Sequence, residues 1–289
     1  MASSSQPSAS SAPPQGDVPR SIFGTDPLDD FLLSISSWIY HTSQGGHLLG
    51  PDVDGEIEIE AKLGTLIDTR TNQRIVHPVA HDVVLSNPSN TRFVSGMSQE
   101  AHRHFNGLLN GLCQPAQGRP RVQYKRHNEI DYFHGTGRGE RLRVTKEAES
   151  LRTKPRGCIV KHRLGNLEVH CPGRHFDFRI SVNLEVQATE PGPDQSTDFY
   201  REKNRLSYTH EGGMRIDLTQ VTVPPSGSGE ATLQHELEVE LSTPPNCNWG
   251  GEETTLNGEK GGHDWTEYED MVARFVNDVR LLIRNAQGR

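Results

Sequence analysis

The residues best suited to do chemistry stand in two acidic rows. Glu56-Ile57-Glu58-Ile59-Glu60-Ala61-Lys62-Leu63-Gly64 alternates charge with apolar residues one for one, and Gln234-His235-Glu236-Leu237-Glu238-Val239-Glu240-Leu241 repeats the pattern near the other end of the chain. A strand has a side-chain period of two, so Glu56, Glu58, Glu60 and Lys62 share one face while Ile57, Ile59, Ala61 and Leu63 share the other. Carboxylates at i and i+2 lie about 7 Å apart, so each row repels itself and two rows brought together need cations between them. Hard divalent ions with oxygen ligands are the natural cations. The plain alternative is that both rows are solvated outer faces of amphipathic strands.

Basic strands accompany the acidic ones. Arg141 and Arg143 share a face, as do Lys161 and Arg163, and Lys203, Arg205 and Ser207. Phe176 to Glu185 alternates over ten residues, with Asp177, Arg179, Ser181, Asn183 and Glu185 opposite an apolar set, and Arg215, Asp217 and Thr219 oppose Met214, Ile216 and Leu218. Alternation alone leaves open which face points inward. Polar faces outward would make a sandwich with a dry core; apolar faces covered by helices would leave a charged channel. The amphipathic helices must cover something, which favours the channel. In such a channel carboxylates hold a divalent metal and Arg and Lys clamp phosphate oxygens, the combination that offsets charge in phosphoryl transfer. There is no Gly-x-x-x-x-Gly-Lys-[Ser/Thr] phosphate loop.

The elements that must position these residues follow from the rest of the chain. Its 289 residues suffice for a sizeable core, yet only 32% are hydrophobic, low for a globular chain and consistent with a polar interior. The net charge of −8 argues against a general nucleic-acid coat, so any polyanion must meet a local basic site or a bound metal. The four cysteines, Cys113, Cys158, Cys171 and Cys247, have no metal spacing and read as reduced thiols, and the fourteen histidines form no zinc pattern. No apolar run is long enough for a membrane span or a signal peptide.

Residues 1–20 are a Ser/Pro-rich tail expected to be disordered, and residues 21–289 are expected to form a single catalytic domain. Helices are expected over Asp26–Tyr40, with Asp26 as N-cap and Pro27 in the first turn, over Ser98–Leu112 and over Asp264–Asn285. Strands are expected at Gln123–His127, Glu129–His134, Arg141–Lys146, Cys158–Leu164, Phe176–Val186, Arg205–His210, Met214–Val221 and Thr232–Leu241. Irregular chain is expected at Gly45–Gly55 and after Gly64, and surface insertions at Thr189–Thr197, Pro224–Gly229 and Asn246–Gly262. The class is α+β, mainly antiparallel β: a barrel flanked by packing helices.

Glu58-Ile59-Glu60-Ala61-Lys62 resembles the Glu-x-Glu-x-Lys signature of triphosphate tunnel metalloenzymes. Together with Arg179 to Glu185, Lys203 to Tyr208, Arg215 to Thr219, Glu236 to Glu240 and the opening Ile22-Phe23-Gly24-Thr25, the ordered set is similar to the fungal mRNA-capping enzyme β subunit family of RNA 5′-triphosphatases, over roughly residues 22 to 285. The resemblance implies an eight-stranded tunnel in which Mg²⁺ or Mn²⁺ bridges glutamates and the γ-phosphate. Glu58, Glu60 and Glu240 would ligate the metal, with Glu236 and Glu238 behind them. Arg143, Lys161, Lys203 and Arg205 would hold the triphosphate, Glu185 would position the attacking water, and Arg215 and Asp217 would support the wall. Glu56, Arg141, Arg163 and Arg179 have the same parity.

The reaction implied is removal of the γ-phosphate from 5′-triphosphate RNA, the first step of capping. A guanylyltransferase partner, a homodimer and a nuclear address follow from the same resemblance; no basic import run is evident, and the tail has no Trp and no basic cluster before Arg20. Two other readings stand beside this one: a tunnel enzyme acting on tripolyphosphate or free nucleoside triphosphate, and a non-enzymatic ligand-binding barrel whose inward face is Ile57, Ile59, Ile180, Val182, Leu237 and Val239.

Overall fold

In the computed structural model the described residues are 22–24, 28–45, 55–86, 89–115, 117, 121–136, 140–192, 194–210, 213–225, 229–241 and 266–287. The tail, the Asp26–Pro27 cap, most of Gly45–Gly55, the Asn246–Gly262 insertion and Cys247 lie outside them.

Alternation of charged and apolar residues builds long strands: β1 (Gly55–Asp68), β4 (Val122–Gly135), β5 (Arg141–Glu147), β6 (Thr153–His170), β7 (Asp177–Gln187), β8 (Phe199–His210), β9 (Met214–Val223) and β10 (Thr232–Leu241). They pair antiparallel in the order β10-β9-β8-β4-β5-β6-β7-β1, and β1 pairs again with β10, so eight strands close into a barrel without a free edge. The two strands expected between Gln123 and His134 are one, β4. Two short strands, β2 (Val83–Leu85) and β3 (Thr91–Ser95), occupy the stretch after Gly64 expected to be irregular, pairing with β6 and β1 outside the barrel.

Three helices cover the outside. Helix α1 (Asp30–Gln44) starts at Asp29, whose carboxylate accepts from the Leu32 amide at 3.1 Å, three residues beyond the expected cap. Helix α2 (Gln99–Leu112) is capped by Ser98, and α3 (Glu267–Arg284) by Thr266 in a reciprocal box with Glu269.

The dry core lies between these helices and the outer face of the barrel. Ile35 and Ile39 of α1, Phe105 and Leu109 of α2, and Phe275 and Val279 of α3 share one cluster with Ile59 and Ala61 of β1, Ile180 and Val182 of β7 and Leu237 and Val239 of β10, all 0% exposed. Each large side chain buried this way stabilises the fold by about 1.5–3 kcal/mol. A lumen lined by Ile57, Ile59, Ile180, Val182, Leu237 and Val239 is therefore not the arrangement the chain adopts: those residues face the helices, and the charged set faces the bore. A smaller cluster of Leu142, Val144 and Cys158 seals the opposite wall.

Two details fix the ends of the strands. At Gly64 a Cβ would stand 2.4 Å from the Val94 carbonyl oxygen and 2.6 Å from the Phe93 ring, so only glycine lets β3 and Phe93 close on β1. Asp177, expected on the charged face with Arg179, instead anchors the turn beyond β1. Its fully buried carboxylate accepts from Arg74 Nε at 2.9 Å and Nη2 at 2.6 Å and from the Leu66 and Cys171 amides at 3.0 Å. Its Oδ1 also lies 2.9 Å from His170 Nδ1.

Candidate active site

Strand register brings the two acidic rows side by side. Glu60 lies opposite Glu240 and Lys62 opposite Glu238 across β1 and β10, while on the other flank of β1 Glu56, Glu58 and Glu60 face Glu185, Asn183 and Ser181 of β7. Asn183 Nδ2 donates to Glu58 Oε2 at 2.8 Å and reaches Glu60 Oε1 at 3.5 Å. The buried Asn183 Oδ1 finds no hydrogen-bond partner among the described residues.

The basic strands meet this wall. Lys161 Nζ sits among three carboxylates, bonded to Glu58, 3.4 Å from Glu60 and 3.9 Å from Glu185. Arg143 Nη2 reaches Glu185 at 3.3 Å, and Arg163 reaches Glu60 at 3.8 Å and Ser181 Oγ at 2.7 Å. Across the bore Lys203 pairs with Asp131 at 2.5 Å and Arg205 with Asp217 at 3.3 Å and Glu129 at 3.7 Å, while on the acidic wall itself Lys62 pairs with Glu238 at 2.6 Å. Arg215 bridges Asp217, at 3.1 Å, and Glu240.

Burial and neighbours set the acidities. Burial pushes the Glu240 carboxyl up to about 7; Arg215 opposes the rise, and Glu58, Asp217 and Glu185 add to it. Burial would also raise Glu238, but Lys62, Lys203 and Arg205 override it and hold that carboxyl well below the usual range. Within the Glu58 and Glu185 pair, burial favours protonation of both; Lys161 and Arg143 keep Glu58 low, and the charge on Glu58 leaves Glu185 high. Burial with the charge on Glu238 raises Glu236.

The structure thus gathers Glu58, Glu60, Glu185, Arg143 and Lys161 into one group, and sets beside it the pairs Lys62–Glu238 and Lys203–Asp131 and the chain Glu129–Arg205–Asp217–Arg215–Glu240. Of four further residues of matching parity, Arg163 reaches Glu60 at 3.8 Å and is tied to Ser181 and Asn166, and three stand apart: Arg179 is drawn to Glu168 at 2.8 Å and over the Phe93 ring at 4.7 Å, Glu56 is 66% exposed and pairs with Arg156, and Arg141 is exposed over Phe199. Glu129, Asp131 and Lys154 line the bore without having been singled out. Their signal is the i, i+2 spacing of Glu129 and Asp131 within the expected strand Glu129–His134, a pair too short to stand out beside the longer acidic rows.

No group of three His, Cys, Asp or Glu side chains stands at metal-binding distances among the described residues, because Lys161 and Arg215 are interposed. The donor set nonetheless suits a hard cation. It is all oxygen, it includes the unpartnered Asn183 Oδ1, and a lysine ammonium already stands where positive charge is required.

The chain matches the family described as mRNA capping enzyme, beta chain, over residues 25–288. It is 34% identical over 261 residues to the mRNA-capping enzyme subunit beta of Schizosaccharomyces pombe, covering 89% of this chain and 82% of that one. It is 30% identical over 242 residues to a polynucleotide 5′-triphosphatase of Saccharomyces cerevisiae, covering 80% and 71%. The chain spans 65% of the Cryptococcus neoformans β subunit and 44% of that from Candida glabrata. The solved S. pombe Pct1 RNA triphosphatase superposes with a TM-score of 0.77 at 30% identity, covering 93% of this chain and all of that one; it is also known in complex with the Spt5 CTD.

Proposed function

The chain belongs to the mRNA capping enzyme β-chain family, and from that premise we propose that it is a polynucleotide 5′-triphosphatase, a hydrolase that removes the γ-phosphate from 5′-triphosphate RNA. The observation that carries this reading is the bore itself. Carboxylate rows and guanidinium and ammonium groups face each other across a water-accessible space, while apolar residues pack outside.

We assign roles by position. Glu58, Glu60 and Glu240 would hold a divalent metal, Mg²⁺ or Mn²⁺, with the Asn183 carbonyl oxygen beside them. When bound there it would supply Lewis-acid polarisation and charge neutralisation at the γ-phosphoryl oxygens. Lys161 and Arg143 converge on the same carboxylates and would turn to phosphate oxygens when a triphosphate enters, Arg143 as a two-pronged donor and Lys161 as a point charge. Lys203 and Arg205, steadied by Asp131 and Asp217, would orient the remaining phosphates. Glu185 shares Lys161 with Glu58 and would hold the attacking water, taking its proton at a carboxylate oxygen. Glu236 and Glu238 keep Lys62 and the opposite cations in place, Arg215 positions Glu240, and Asp217 positions Arg205 and Arg215. Arg179, held by Glu168, would reach a phosphate only by leaving that carboxylate.

Phosphate release from γ-labelled triphosphate RNA, with and without Mn²⁺ or Mg²⁺, tests this reading; release that ignores the metal contradicts it. The same walls suit tripolyphosphate and free nucleoside triphosphate, so turnover of all three substrates side by side ranks them. From the family we further propose a nuclear address, a guanylyltransferase partner and a homodimer, and the complex of the S. pombe relative with the Spt5 CTD supports that peptide as a candidate partner. Among the described residues no helix is long and apolar enough to cross a membrane.

A further inference from the structure

The two ends of the bore differ in chemistry. Strands β4 and β8 serve as a ruler along it, because their inward residues pair across the ladder: His127 with Arg205, Glu129 with Lys203, Asp131 with Arg201, and Phe133 with Phe199. One end opens into a cavity of about 370 Å³ lined by Lys125, His127, Lys154, Arg205 and Arg215. At the other end the charged alternation stops at two phenylalanines.

Those rings are stacked, with centroids 4.5 Å apart and planes 9° from parallel. The Arg201 guanidinium lies 4.6 Å from the Phe133 centroid, and Arg141 lies 5.0 Å over Phe199. Phe133 is buried, whereas Phe199 is partly exposed and Arg141 exposed, so among the described residues the ring of Phe199 is met by the exposed Arg141 guanidinium and, at 5.9 Å, by that of Arg201. The buried Nε atoms of Arg201 and of Arg143, which pairs across the ladder with Phe133, have no hydrogen-bond partner among the described residues, nor has that of Arg205 at the cavity end, but only the first two stand beside phenylalanine rings. Unpaired guanidinium donors beside an aromatic stack suit a phosphate joined to a flat ring.

Direction follows from the acidic wall. Arg215, at the cavity end, lies opposite Glu240, so β1 runs from Glu56 near the cavity toward Gly64 at the aromatic end, and Glu185 lies opposite Glu56. In an in-line displacement the leaving group departs on the side away from the attacking water. Water held at Glu185 therefore directs the leaving diphosphate toward Arg201 and the phenylalanines. From Glu129 to Phe133 the wall spans about 13 Å of strand, room for three phosphates in file.

Resting on the triphosphatase reading above, we propose that Phe199, backed by Phe133 and faced by Arg141, seats the first nucleobase of the RNA. The RNA then enters by the aromatic mouth, while water enters and phosphate leaves by the cavity. A flat base between guanidinium and ring explains how a bore built for phosphate would prefer a polynucleotide end to tripolyphosphate.

The test compares kcat/KM for triphosphate-ended RNA and for tripolyphosphate in the wild-type chain and in Phe199→Leu and Phe133→Leu. Base stacking on an aromatic ring predicts a fall roughly ten- to hundredfold larger for RNA than for tripolyphosphate. Equal falls mean that the rings only hold the bore together, and no fall means that they are idle; either overturns the seat. Should a variant fail to fold, wild-type protein assayed on RNA lacking its first base must lose the same factor, and full activity on that RNA overturns the proposal. A wild-type chain inert toward both substrates sinks the triphosphatase reading itself, a result distinct from an active chain with equal falls.

Discussion

The two faces of the barrel wall are made by the same strands and obey opposite rules. On β1, Ile59 and Ala61 look outward into the apolar cluster shared with the helices, while Glu58 and Glu60 look inward and touch Lys161 and Asn183. Folding energy collects on the outer face, where apolar area is removed from water. The inner face contributes little net stability, because its charges lose hydration about as fast as they gain partners. Substitutions should therefore separate: outer changes melt the fold, and inner changes silence the chemistry.

The largest effect belongs to the inner face. Glu58→Ala or Glu240→Ala should lower kcat roughly a thousandfold, about 4 kcal/mol of barrier, while the melting temperature moves by only a few degrees. Lys161 keeps Glu60 and Glu185 when Glu58 is removed. Full activity in either folded variant would break the contrast. On the outer face, Phe275→Ala should cost about 3–5 kcal/mol in denaturant unfolding and leave turnover per folded molecule unchanged.

Polar intruders on the outer face sharpen the comparison. His102 of α2 is buried against the His235 ring, with centroids 4.7 Å apart, and burial with that neighbour pushes its pKa down to about 4. The unfolded chain binds this proton more tightly than the folded one. Stability is therefore full above about pH 6.5 and lost as pH falls toward 4, by up to about 3 kcal/mol. Replacing His102 by Gln should flatten that slope in thermal melts between pH 7 and 4. Smallest is the α3 cap: Thr266→Ala should cost about 1 kcal/mol with no change in activity.

Much of this was legible in the chain because a strand's period is fixed. The grouping of Glu58, Glu60 and Lys62, or of Glu236, Glu238 and Glu240, needs only alternation. What alternation cannot give is the sign of the face. That came from α1, α2 and α3, whose apolar stripes leave the outer wall as the only dry surface. β2 and β3 escaped notice because strands of three and five residues lying outside the barrel carry too little pattern. Asp177 was misjudged because parity predicts a face and not a partner: at the start of β7 its carboxylate meets Arg74 and two backbone amides before it can reach the bore. Glu129 and Asp131 share a face of the expected strand Glu129–His134, but two carboxylates alone carry no sign of the Lys154, Arg205 and Lys203 partners that only the closed barrel brings to them.

The central claim, that these glutamates form a cation site within a phosphate-binding bore, is tested most directly by a crystal soaked in Mn²⁺ and measured for anomalous scattering. One peak at the Glu58, Glu60 and Glu240 carboxylates, absent in crystals of Glu240→Ala, is the result this account predicts. A map empty there, or a peak only on the outer surface, would contradict it.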